Sequence, residues 1–161
     1  LGGYTTEKRR QPPEDYELWS RMSRAGKVAN LAERLLIYRE MPNSMSRTGV
    51  SPFLDRLVNI SAENLALATG FALQSKDVTD VAALTHSAFH RLSDRPNIDH
   101  MCEIVRRAAA GVSPNDPPPS VRVDERVRVL RYQWLMYKAR VDRSNRLVCY
   151  AIRLARRLLA R

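Results

Sequence analysis

Glu14 and Asp15 stand side by side, followed by Tyr16, Glu17, Leu18 and Trp19. A carboxylate held beside a hydroxyl can take its proton and turn a weak nucleophile into a usable one. Taken alone, an acidic pair has a simpler use, because negative charge suits the positive start of a helix. His86 and His90 lie four residues apart, a helical spacing that can hold a metal. The zinc-protease pattern needs a Glu after the first His, and Ser87 stands there, so the pair reads as half-buried or surface histidines. His100 beside Cys102 is a weaker signal still. Cys102 and Cys149 match no zinc spacing and read as two buried or idle thiols in a reducing compartment. No Asp-x-Asp occurs anywhere, and no strand–loop–helix unit is available to cradle phosphates.

The elements that would position these residues are mostly helical. Acidic residues at 14 and 15 start a helix through Leu18, Trp19 and Met22, and Gly26 stops it. Two short strands are expected over residues 27–31 and 35–39, before a turn at Pro42, Asn43 and Ser44. From Pro52 the apolar spacing is helical. One long or broken helix reaches about residue 75. A second contains Val81, Leu84, Ala88 and Leu92. A third contains Ile98, Met101, Cys102, Val105 and Ala108 and ends at Gly111. Pro114 and the run Pro117-Pro118-Pro119 form a stiff linker, followed by helices over about 121–141 and 143–160.

Residues 14–47 read EDYELWSRMSRAGKVANLAERLLIYREMPNSMSR, and Gly2-Gly3-Tyr4 precedes them. This order resembles the end of the catalytic domain in family 2, GT-A-type inverting glycosyltransferases. That family shows a Gly-Gly-Tyr stretch, then Glu-Asp-Tyr-acidic-Leu-Trp, a helix ending Gly-Lys, Asn-Leu, a strand ending Tyr-Arg and a Pro-x-Ser turn. The resemblance covers about residues 1–47. It implies that Asp15 is the general base, that Glu14 orients it or contacts the acceptor, and that Trp19 lines the acceptor side, although from the residue alone a packing role for Trp19 is equally open. It further implies a nucleotide-sugar donor and a sugar or lipid-linked acceptor. Mg²⁺ or Mn²⁺ is then expected in the full-length enzyme, and no cofactor in this stretch. The donor half of such an enzyme lies upstream, so this stretch is expected to be inactive alone. Met41 stands where many members carry a His, and a thioether is a poor ligand for a hard cation. Gln11-Pro12-Pro13 replaces the usual aromatic or Gly lead-in.

The expected fold is mainly α with a small β element. It is the C-terminal remnant of a GT-A α/β catalytic domain (residues 1–50), then a helical region (51–112), a Pro-rich linker (113–119) and a basic amphipathic helical pair (120–161). The net charge of +10 is uneven. Residues 1–119 hold 15 basic and 14 acidic side chains, whereas residues 120–161 hold 12 and 3. Leu147, Val148, Ala151, Leu154, Ala155, Leu158 and Leu159 form an apolar stripe beside several arginines. The pair is read either as two helices packing on each other with their arginines in solvent, or as a surface for an anionic membrane or a second copy of the chain. Nucleic acid is not expected, because no binding module is recognisable. The longest nearly apolar stretch, residues 65–73, is about half a membrane span. The first residues carry no leader pattern and read as part of a longer protein. The expected place is the cytoplasm, peripheral at the inner face of the membrane. The alternative reading is a non-catalytic helical interaction or membrane-docking module.

Overall fold

The computed structural model describes residues 1–37, 39, 41, 51–112, 118–141 and 150. It is mainly helical, with helices α1 (Glu14–Ala25), α2 (Ser51–Thr69), α3 (Lys76–Thr85), α4 (Ile98–Val112) and α5 (Ser120–Val141). Short 3-10 turns occupy Lys8–Arg10 and Phe89–Arg91.

The helix ends follow local chemistry. Glu14, Asp15 and Glu17 place three carboxylates in the first turn of α1, and the Gly26 amide closes its far end on the Met22 carbonyl at 3.0 Å. Gly70, at φ +73°, ends α2 and donates to the Ala66 carbonyl at 2.9 Å. Asn97 caps α4, its Oδ1 accepting from the His100 amide at 3.1 Å. Pro119 opens α5, its carbonyl accepting from the Arg122 amide at 2.9 Å.

The end of α3 departs from the expected helix through Ala88 and Leu92. The Ala88 amide donates to the Ala83 carbonyl at 2.8 Å, and the Ser87 amide to that of Leu84 at 3.1 Å. These two bonds make a Schellman termination, with Ser87 in the left-handed region at φ 57°. His86 and His90 therefore lie on different elements. Gly111 is the last residue but one of α4 as described, within a residue of the expected end, and a Cβ there would overlap the Ala68 carbonyl oxygen.

The expected strands are a further correction. Among the described residues of 27–31 and 35–39 no strand forms. A strand exists only through a partner's backbone bonds. Here Leu31, Leu35, Leu36 and Ile37 stay exposed, Ile37 at 98%. The turn at 42–44, the second C-terminal helix at 143–160 and Cys149 lie outside the described residues.

The core is built around α3, whose Val78, Val81, Ala82, Ala83 and Leu84 are all buried. A helix buried along this much of its length belongs in the middle of a bundle. Val58 and Ala62 of α2 pack on it, with Met101, Cys102 and Ile104 of α4 and Val127 and Leu130 of α5. The basic C-terminal region is thus joined to the bundle, in its α5 part, through Val127 and Leu130. Asp80 faces this interior and is satisfied by the Ser93 amide at 2.7 Å and the Ser93 hydroxyl at 2.6 Å.

Candidate functional site

Helix α1 has two unlike faces. Its inner face fastens it to the bundle. The Tyr16 hydroxyl lies 2.8 Å from Ser61 Oγ on α2, and the Asn64 side-chain amide donates to Ser20 Oγ at 2.9 Å. Ser20 in turn donates to the Tyr16 carbonyl at 2.9 Å. Glu17 is buried against this face, bridged by Arg21 at 2.8 Å and flanked by Arg10 at 3.8 Å. Arg10 also reaches Glu63 of α2 at 2.8 Å. Arg21 donates to the carbonyl oxygens of Leu1 and Gly3, the latter at 2.6 Å, which ties the Gly2-Gly3 loop to the helix.

The outer face carries Asp15, Trp19 and Met22, spaced i, i+4 and i+7 and therefore on one side of the helix. Asp15 is exposed, and one of its oxygens accepts from the Tyr16 amide at 2.7 Å. Trp19 is 56% exposed and Met22 38%. Among the described residues no Arg or Lys pairs with Asp15. Glu14 is half-buried beside it. Two of the residues singled out in the sequence, Asp15 and Trp19, are thus brought to one open surface. What that surface offers is a carboxylate one helical turn from an indole.

The histidines are not brought together. His90 Nε2 lies 2.9 Å from Asp55, which Arg91 also contacts at 3.1 Å. His100 Nδ1 lies 2.7 Å from Asp77. Cys102 is a free, buried thiol of the core. Among the described residues no three His, Cys, Asp or Glu side chains converge as a metal site requires.

Sequence reasoning missed a hydrogen-bonded chain behind α1. Ser61 Oγ joins the Tyr16 hydroxyl to His86 Nε2, which is 2.6 Å away. The Tyr16 and His86 rings also meet edge to face at 5.8 Å. Burial pushes the His86 pKa below its ordinary 6.5, so the ring is held neutral. Nothing in the spacing of residues 16, 61 and 86 announces this contact, because it depends on how three helices cross.

No known protein family, no curated protein and no solved structure matches this chain.

Proposed function

We propose that this chain is the acceptor-side part of an inverting glycosyltransferase, of the family that residues 1–47 resemble. The observation that supports it best is the outer face of α1, where Asp15 and Trp19 stand one turn apart. An indole face is a surface on which the apolar side of a sugar ring can rest. A neighbouring carboxylate can then meet one of that ring's hydroxyls. Asp15 takes the hydroxyl proton as the oxygen attacks the anomeric carbon of the donor sugar. The nucleoside diphosphate leaves from the opposite side, so one displacement inverts the configuration. Glu14 helps to orient Asp15 or the acceptor. The anchored inner face of α1 fixes the base in place, which proximity catalysis requires.

The donor and its divalent cation belong to an upstream α/β half, of which residues 1–50 are the end. The exposed Leu35, Leu36 and Ile37 fit a segment that finds its partner strand there. Residues 1–161 alone are then inactive. The test is nucleoside diphosphate release from a panel of nucleotide sugars. It compares a protein in which the upstream half precedes residue 1 with residues 1–161 alone. Release is expected from the longer protein only. Turnover by residues 1–161 alone, or an upstream sequence with no Asp-x-Asp after a strand, overturns the reading.

A further inference from the structure

A groove of about 530 Å³ opens where α2, α3, α4 and α5 meet, with Tyr16 of α1 at its edge. That volume lies within the range of small-ligand sites, roughly 300–1,000 Å³. Leu65, Val81, Val105, Val112, Val129 and Leu130 give it apolar walls. Its polar groups are few. Tyr16, Ser61 and His86 contribute their hydrogen-bonded chain, and Asn64, Thr85 and Gln133 add side-chain dipoles. Two of these have already used donors within the protein. Thr85 donates to the Val81 carbonyl at 2.8 Å, and Asn64 to Ser20.

The charges are one-sided. No carboxylate lines the groove, and Arg126, on the exposed side of α5, is its formal cation. Burial keeps His86 neutral, so that ring adds no charge at neutral pH. A cationic ligand would meet Arg126 with nothing to offset the repulsion. A polyol would strand its hydroxyls against the apolar walls, each a costly loss of solvation. An apolar body with one carboxylate fits both the walls and the cation. We propose that this groove is a binding site for such a molecule, a monocarboxylate of medium-chain acyl size held at Arg126. The inference does not depend on the glycosyltransferase reading.

Calorimetric titration of the chain with decanoate tests it, with decanol as the uncharged control. Saturable one-to-one binding of decanoate is expected. Arg126→Gln weakens it about tenfold, as loss of one charge-assisted contact would. Decanol binds more weakly by a similar factor. Val129→Phe fills the groove and reduces binding of both compounds. Arg126 and Val129 are both exposed, so these variants should melt close to the parent chain. Absence of saturable binding overturns the proposal, as does equal binding by the parent and both variants. A chain that sediments as a dimer, ignores decanoate and becomes monomeric on Val129→Glu overturns it too, and gives the groove to a second copy.

Discussion

His86 is a histidine whose surroundings oppose its charge. Burial lowers its pKa in the folded state, while the unfolded chain keeps the ordinary 6.5. The unfolded state therefore binds the extra proton first as pH falls. The stability given by the neutral ring is complete above about 6.5 and is lost progressively below it, down through the folded pKa. Melting curves of the chain and of His86→Gln, at pH 7.5 and pH 5, check this. The Gln side chain can still accept from Ser61 but does not titrate. The parent chain should lose more of its melting temperature between the two pH values than the variant does. Equal losses would show that His86 is not a source of acid lability. At this scale the sequence was informative where chemistry is local. Asp15 and Trp19 lie within one turn, so the resemblance that singled them out also carried their proximity. Ser61 and His86 are remote from Tyr16 in the chain, and their contact could not be read before the helices were placed.

Among the elements, α1 was legible at both ends, because its acidic first turn and Gly26 each act on neighbouring backbone groups. The end of α3 carries no such mark. Ser87 takes the left-handed position that usually belongs to glycine, so the apolar spacing of Ala88 and Leu92 was read as more helix. Ser87→Gly should relieve that conformation and stabilise the chain by about 1 kcal/mol. Urea denaturation should show a higher midpoint, and an unchanged or lower one would remove the strain argument. Gly111 has a packing role that its place near the end of α4 did not announce. Glycine is a helix terminator in general, but here it lets α4 approach the Ala68 carbonyl of α2. Gly111→Ala has to push the two helices apart and should cost about 1–3 kcal/mol. By helix propensity alone, the same change would stabilise by about 1 kcal/mol. The sign of the shift in the denaturation midpoint therefore decides between close packing and termination.

For the molecule as a whole, the helical class followed from periodicity, as did most of the helices among the described residues, because a bundle is written in local apolar spacing. The strands failed for the complementary reason. Pairing is a long-range property, and none of the described residues of 27–37 lies in a strand. The polar inner face of α1 docks on α2, while its outer face presents Asp15 and Trp19 to solvent. That division of labour is the basis for reading the chain as one side of a transfer site. The most direct test of the central claim is the Asp15→Asn exchange in the longer protein, with sugar transfer and donor binding measured side by side. An amide keeps the size of the carboxylate but cannot take the hydroxyl proton. Transfer should fall roughly 10²- to 10⁴-fold while donor affinity stays within a few-fold of the parent. Transfer within a few-fold of the parent would contradict the account, because the residue would then not be the base.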